Sequence, residues 1–305
     1  MTESAILLAI SGTQLLQGVI DAISVGSLYA LFALGIALIF GIMGLINFAH
    51  GEMIMVGAYV LVLYEGLPKL SLVVACIGAV VILALMLERV AFRPVRGADP
   101  ATLLVTSFAV SYLLQNVAIL TLGSTPRVTN FSTFLTESFT VGGLSIPWLN
   151  VVTVAVTASL LISLVLFLGR TTMGVQMRAA AEDFPTARLL GVRANRVIAI
   201  AFAISAILAA VASILIVSQT GAVAPDIGVN PVLFAFIATV LGGIGSLTGA
   251  VLGGYLLGAL NVTFQLVLPV ELRPFRDAFT FTIVFVVLVL RPQGLIVAKS
   301  TVSRV

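Results

Sequence analysis

Residues 26–59 of this 305-residue chain read GSLYALFALGIALIFGIMGLINFAHGEMIMVGAY. Glu52 is the only charged side chain in this run, and His50 is its only histidine. About 20 predominantly apolar residues are enough for a helix to cross a lipid bilayer. The stretch therefore predicts two successive membrane helices, 17–40 and 44–64, with the glycine-containing sequence GLINFAHGE where the second begins.

The rest of the chain has the same apolar character. It is 60% hydrophobic and 9% charged, with a mean hydropathy of +1.23, whereas an ordinary soluble domain is about 25% charged. We expect an all-α, polytopic transmembrane helical bundle that forms one domain over 1–305. Nine spans are predicted, or eight if a glycine-broken segment re-enters the membrane. The further predicted spans are 71–92, 101–122, 150–168, 197–219, two crossings within 230–268, and 277–290.

Basic residues are unevenly distributed between the loops. If 88–99, 170–196 and the C-terminal tail share one side, that side holds eleven of the fifteen Lys and Arg residues, and four lie opposite. Cytoplasmic loops of membrane proteins collect Lys and Arg. This bias predicts a cytoplasmic C-terminus and, with nine spans, an external N-terminus. The same bias accounts for the net charge of +3, so we do not expect nucleic acid as a partner.

The segment 170–196, here called the arginine loop, is the one long polar stretch between spans. Its sequence predicts two short helices, 175–181 and 185–190. Acidic residues and a proline suit a helix N-terminus, and a glycine suits the position after its end. Such a helical loop indicates a projecting contact surface, and the alternative is a solvated cytoplasmic linker. The residues concerned are Glu182, Asp183, Pro185 and Gly191.

Asn47, His50 and Glu52 form a polar cluster at the start of the second predicted span. Polar and ionisable groups at membrane depth are costly and usually face a cavity or a partner. One interpretation is a gate or translocation-path element. The other is an interfacial turn, near the cytoplasmic ends of two spans, in which these groups are solvated or cap the helix.

Glycines concentrate in 41–57 and 242–258. Gly253, Gly254 and Gly258 suit close helix packing. The alternative is that 242–249 is an unwound segment near the solute path, because transporters built from inverted repeats break helices there. GIMGLINFAHGEMIMVG and GGIGSLTGAVLGG would then be corresponding breaks in two halves of the chain.

The sequence lacks the motifs of several enzyme classes. There is no GxxxxGK[ST] for ATP, no HExxH and no GxSxG, so we expect no catalytic residue and no enzyme activity. Cys76 is the single cysteine and His50 the single histidine, so we expect no metal site and no cofactor in this chain. A transporter working alone and a membrane scaffold remain as alternatives to an importer subunit.

Four stretches together resemble the permeases of branched-chain amino-acid ABC importers. The similarity is closest to the permease of the high-affinity leucine, isoleucine and valine system. It extends through nearly the whole chain, and the combination of motifs is specific. The stretches are 26–59, GVQMRAAAEDFPTARLLGV (174–192), LGGIGSLTGAVLGG (241–254) and LRPQGLIV (290–297).

The resemblance implies a multi-pass subunit of the bacterial inner membrane with several partners. These are a second permease (a hetero- or homodimer), two cytoplasmic ATPases that hold the ATP and Mg²⁺, a periplasmic or extracellular solute-binding protein, and an amino-acid substrate. Permeases for urea or short amides belong to the same family and are the alternative. Residues implied for the path or gate are Asn47, Phe48, His50, Gly51 and Glu52, and the glycine pattern adds Gly242, Gly243 and Gly245 as path candidates. Residues implied for ATPase coupling are Arg178, Ala181, Glu182, Asp183, Pro185, Arg188 and Gly191.

Overall fold

The computed structural model describes residues 12–129, 131, 135 and 137–296. Within these ranges eleven α-helices account for most of the chain. In chain order they are α1 (Gly12–Met43), α2 (His50–Leu63), α3 (Lys69–Leu87), α4 (Pro100–Leu122), α5 (Trp148–Arg170), α6 (Thr172–Glu182), α7 (Phe184–Leu189), α8 (Ala194–Thr220), α9 (Val229–Gly242), α10 (Leu247–Val267) and α11 (Arg276–Leu290). A π-helical turn, Glu88–Phe92, extends α3, and a 3₁₀ turn, Arg273–Phe275, precedes α11.

Six of the described helices have the length and composition of a membrane span: α1, α3 with its π-helical turn, α4, α5, α8 and α10. By contrast, α2 and α9 are apolar but have only 14 residues each, a length of about 21 Å against a hydrocarbon core of about 30 Å. The polytopic helical bundle predicted from the sequence is confirmed. The count of eight or nine full crossings is not, because three of the nine predicted crossings are short helices: α2, α9 and the 15-residue α11.

Four short strands mark one end of the bundle. β2 (Ser138–Val141) and β3 (Leu144–Pro147) form an antiparallel hairpin, and β1 (Arg127–Val128) pairs with β4 (Ala222–Val223). The Gln17 side chain near the start of α1 donates to the hairpin carbonyl of Ser145 at 3.0 Å. We call this the hairpin end. The opposite end carries α6 and α7, and we call it the arginine end.

The long helices α1 and α8 lie at the centre, and α3, α4 and α5 lie at the periphery with fewer than a third of their residues buried. Helix α10 packs closely along α1 through glycines. A Cβ on Gly254 would overlap backbone atoms of Ala30, and one on Gly258 would overlap those of Gly26. The close packing predicted for these glycines is present, and the backbones approach as in other small-residue membrane interfaces.

The two short helices run in opposite directions from the middle of the bundle. His50, the first residue of α2, lies beside Ser205, which is close to the midpoint of α8 (Ala194–Thr220). From there α2 runs towards the hairpin end, since Gly57 lies against Ser213 further along α8. Helix α9 runs to the arginine end, where Leu241 accepts a backbone hydrogen bond from Leu295 at 2.8 Å.

The helix breaks that correspond to each other in the two halves of the chain are not the pair predicted from the sequence. In the first half α1, the irregular segment 44–49, α2, α3 and α4 follow one another. The second half repeats this order with the opposite orientation between the two ends of the bundle. It consists of α8, the segment 221–228, α9, α10 and α11. The counterpart of GLINFAHG is therefore GAVAPDIG (221–228), not GGIGSLTGAVLGG. The latter contains the turn that joins α9 to α10, together with Gly253, which packs on α9, and Gly254, which packs on α1.

Candidate functional site

The short helices α2 and α9 meet at a glycine pair. A Cβ added to Gly228 would overlap the carbonyl group of Gly51, and one added to Gly51 would lie 2.6 Å from the carbonyl oxygen of Gly228. Any larger side chain at either position would push the two backbones apart. We call this contact the glycine crossing, and it places the N-terminal ends of both short helices together inside the bundle.

His50 is fixed beside the crossing by the two central helices. Its Nδ1 lies 3.2 Å from Ser205 Oγ, and that hydroxyl donates to the Gly35 carbonyl at 2.9 Å. Because the serine has one hydrogen and uses it on Gly35, the imidazole Nδ1 is the donor in the second bond. The ring also occupies the space in which a Cβ of Gly35 would stand. His50 therefore joins α2 to both α1 and α8.

Asn47 and Glu52 each keep one polar atom without a partner in the described structure. Asn47 Oδ1 accepts from the Ala49 amide at 3.1 Å, and Glu52 Oε1 accepts from Ser111 Oγ at 2.8 Å. Asn47 Nδ2 and Glu52 Oε2 are buried and form no hydrogen bond. Unsatisfied buried polar atoms are costly, so these two groups are candidates for a contact made in another state of the protein.

The expected location of this cluster at a cytoplasmic interface is wrong. Asn47, His50 and Glu52 are 0%, 1% and 2% exposed, and they lie near the middle of the bundle. A solvated interfacial turn is therefore excluded for these residues. Their assignment to a gate or path stays a prediction.

Phe48 connects α4 to α9 next to the cluster. Its ring stacks on Phe108 with a centroid distance of 4.1 Å and lies tilted against Phe236 at 5.8 Å. Phe108 is half exposed, so the stack reaches from the glycine crossing to the outer surface of α4.

The other three residues predicted for the path lie away from this cluster: Gly242, Gly243 and Gly245. Gly242 ends α9, about 20 Å along that helix from the glycine crossing. Gly243 and Gly245 have φ values of +111° and +87°, and a Cβ on Gly243 would overlap the carbonyl oxygen of Ile296. The structure thus places these three glycines in a tight turn at the arginine end and does not bring them together with the Asn47–Glu52 cluster.

The arginine loop folds into the two predicted helices, and α6 is longer than expected. Thr171 Oγ1 caps α6 by accepting from the Gly174 amide at 2.9 Å. Asp183 caps α7 by accepting from the Thr186 amide at 3.1 Å. Gly191 follows α7 with a φ of +90°, as expected for a glycine after a helix. Local capping signals therefore determined this part of the fold.

The two helices of the loop have one buried and one exposed face. Met177, Ala180 and Ala187 are buried against the bundle, whereas Leu189 and Leu190 are 88% and 80% exposed. All seven residues predicted for coupling are exposed: Arg178, Ala181, Glu182, Asp183, Pro185, Arg188 and Gly191. Adjacent exposed leucines flanked by charge are typical of a protein-contact surface.

A polar network that sequence reasoning missed supports the base of the loop. Arg96 forms an ion pair with the buried Glu88 and donates to Asn195 Oδ1 at 2.6 Å. Burial lowers the pKa of Arg96, although the Glu88 carboxylate acts in the opposite direction. The network ties the π-helical turn after α3 to the first turn of α8. The clustering of Arg89, Arg93 and Arg96 was visible in the sequence, but the pairing with Asn195 was not.

The arrangement of the described residues defines a class of protein. Six full-length apolar helices, two short helices that meet inside the bundle and an exposed helical loop at one end define an integral, polytopic membrane protein. No group of three or more His, Cys, Asp or Glu side chains that could hold a metal ion occurs among the described residues.

Comparison with known proteins identifies the family. Residues 18–289 match the family described as branched-chain amino acid transport system / permease component, and the chain belongs to this family. It is 36% identical over 297 residues to the high-affinity branched-chain amino acid transport system permease protein BraD of Pseudomonas aeruginosa, covering 92% of this chain and 95% of that protein. It is 37% identical over 297 residues to LivH of Escherichia coli K12, which has the same description, with the same coverage.

More distant relatives show how far the similarity extends. A probable branched-chain amino acid transport permease of Methanocaldococcus jannaschii is 29% identical over 78% of this chain. The autoinducer 2 import system permease LsrC of Photorhabdus luminescens is 35% identical over 39% of this chain. Among these four relatives, the two that match nearly the whole chain are permeases named for branched-chain amino acids.

Proposed function

We propose that this chain is a transmembrane permease subunit of an ATP-binding-cassette importer that brings branched-chain amino acids into the cytoplasm. The observation that carries the proposal is the 36–37% identity to high-affinity branched-chain permeases over 92% of the chain. No feature favours urea or short amides, and a helical loop with an exposed leucine pair argues against a transporter that works alone.

The partners follow from the same proposal. A second permease completes the path, as a hetero- or homodimer, and a solute-binding protein delivers the amino acid on the outer side. Two cytoplasmic ATPases bind and hydrolyse ATP with Mg²⁺, and this chain supplies no catalytic residue. The location is the bacterial inner membrane, with the arginine end in the cytoplasm.

The arginine loop is the proposed contact with the ATPases, and the packing around it offers a route for coupling. Helix α6 packs against both α1 and α8. Those two helices hold His50 through Gly35 and Ser205. A displacement of the loop by the ATPases would therefore act on the two helices that hold the glycine crossing, and alternating access would follow from movement of α2 against α9.

Reconstitution tests the proposal directly. The chain is placed in liposomes with its second permease and its ATPases, and a solute-binding protein loaded with radiolabelled leucine is added outside. We expect leucine uptake that requires ATP inside the liposomes. Unlabelled isoleucine and valine should reduce this uptake by competition. Uptake by the chain alone in an ion gradient would contradict the proposal, and so would ATP-dependent uptake of urea but not of leucine.

A further inference from the structure

A cavity of about 290 Å³ opens at the hairpin end, enclosed by α1, α5, α8 and α10. Sites for small molecules usually measure about 300–1,000 Å³, so this cavity is at the lower limit of that range. It is separate from the glycine crossing, since its side chains come from the hairpin-end halves of these helices. None of the residues predicted for the path or for coupling lines it.

Asp21 supplies the cavity with a carboxylate that can accept further hydrogen bonds. Its Oδ1 accepts from Gln17 Nε2 and from Asn150 Nδ2, both at 3.2 Å. Its Oδ2 has only a 3.4 Å contact with Gln17. An ionised carboxylate offers about four acceptor positions, and Asp21 forms no ion pair with any described side chain. The site therefore has room and charge for a cationic donor.

The remaining lining combines carboxamides with an apolar wall. Gln219 and Gln265 line the cavity. Gln265 Oε1 accepts from Arg276 Nη1 at 3.0 Å, so its NH₂ group remains available as a donor. The rest of the lining includes Leu28 and Leu215, together with further aliphatic side chains of α1, α5 and α10. A carboxylate, amide donors and aliphatic carbon thus surround one small space.

We infer that this cavity is a binding site for a small amino acid with an apolar side chain. The ligand's ammonium group binds Asp21, its carboxylate accepts from the glutamine carboxamides, and its side chain packs on the leucine wall. The inference rests on the proposed function and extends it: each permease subunit would hold an amino acid at the hairpin end, outside the region of the glycine crossing.

Trp148 provides the readout, because it is the only tryptophan in the chain and stands between two residues that line the cavity, Pro147 and Leu149. The purified full chain in lipid nanodiscs is titrated with L-leucine while Trp148 fluorescence is recorded. We expect a saturable change. We expect none with 2-hydroxy-4-methylpentanoate, which replaces the ammonium group by a hydroxyl.

The variant Asp21→Asn tests the ammonium contact. It keeps an oxygen acceptor for Gln17 and Asn150 but removes the charge. Because hydrogen bonds to charged groups are the strong ones, we expect the leucine concentration for half-maximal response to rise by about tenfold or more. The matched control is Asp226→Asn, an exposed carboxylate outside the cavity, which should leave the titration unchanged. Thr153→Phe fills the cavity without altering Asp21 and should abolish the response.

The outcomes separate this inference from the proposed function. ATP-driven leucine uptake by the reconstituted importer, together with no Trp148 response to leucine, would overturn the cavity assignment and leave the importer standing. An equal response to the hydroxy acid, or an unchanged titration in Asp21→Asn, would also overturn it. Absence of ATP-driven uptake would instead overturn the proposed function.

Discussion

At the glycine crossing, Gly51 and Gly228 touch through their backbones and His50 is 1% exposed. In the arginine loop, every residue predicted for coupling is exposed and Leu189 is 88% exposed. The chain thus separates an internal joint, formed by close backbone contact between two of its own helices, from an external surface that is exposed to solvent. The difference predicts that changes at the crossing act on folding, whereas changes in the loop act on assembly and coupling.

The largest effect is expected at the crossing itself. In Gly228→Ala the added methyl group overlaps the Gly51 carbonyl group, and overpacking of this kind costs about 3 kcal/mol. We expect a matching decrease in the free energy of unfolding and a lower yield of monodisperse protein, measured by denaturant titration and size-exclusion chromatography. The control is Gly78→Ala in α3, where nothing lies within 4 Å of the new methyl group. Equal stability of the two variants would show that the helices do not meet as described.

The next effect concerns the exposed leucines of the loop. Replacing Leu189 and Leu190 by Glu removes the apolar surface offered to an ATPase while leaving the buried face of α7 intact. We expect recovery of the ATPases with the tagged permease to fall by at least about tenfold, since one buried leucine contributes about 1.5–3 kcal/mol. The melting temperature of the permease should not change. Val141→Glu, on the exposed hairpin at the other end, serves as control, and full recovery of the ATPases with the double variant would rule out this surface.

A smaller effect is expected where His50 is held. Ser205→Ala removes the hydroxyl that links His50 to Gly35, at a cost of about 1 kcal/mol in the free energy of unfolding. Ser159→Ala is the matched control, because that exposed hydroxyl only bonds to Ala155 one turn earlier in α5. If both substitutions have the same small effect, His50 is not a structural link between α2 and α8.

The sequence predicted the loop far better than the crossing, for a physical reason. Capping residues such as Asp183 and the glycine at position 191 act on their immediate neighbours, so α6 and α7 could be predicted from local signals. Likewise, long apolar runs predicted the long helices. Gly51 and Gly228 meet only because the whole bundle brings distant segments together, and GAVAPDIG gave no local sign that it was the second break.

The same reason explains the missed parts of the site. Ser205 is separated from His50 by 155 positions, and nothing around it distinguishes it from the other small residues of α8. The cavity around Asp21 takes two to four side chains from each of four helices that are far apart in the chain, so its carboxylate looked isolated in the sequence. Glycines, in contrast, were recognisable as important, but their local pattern did not reveal whether they served a turn, as Gly243 does, or a helix contact, as Gly254 does.

We propose that the arginine loop couples this membrane body to external ATPases. The most direct test is to measure ATP hydrolysis and leucine uptake together in liposomes that contain Glu182→Lys or Gly191→Pro. Proline cannot adopt the φ of +90° found at position 191, and lysine reverses an exposed charge at the end of α6. Glu137→Lys, at the hairpin end, is the control. We predict a folded permease whose partner ATPases still hydrolyse ATP while uptake is lost. Normal ATP-dependent uptake by both variants would contradict the assignment.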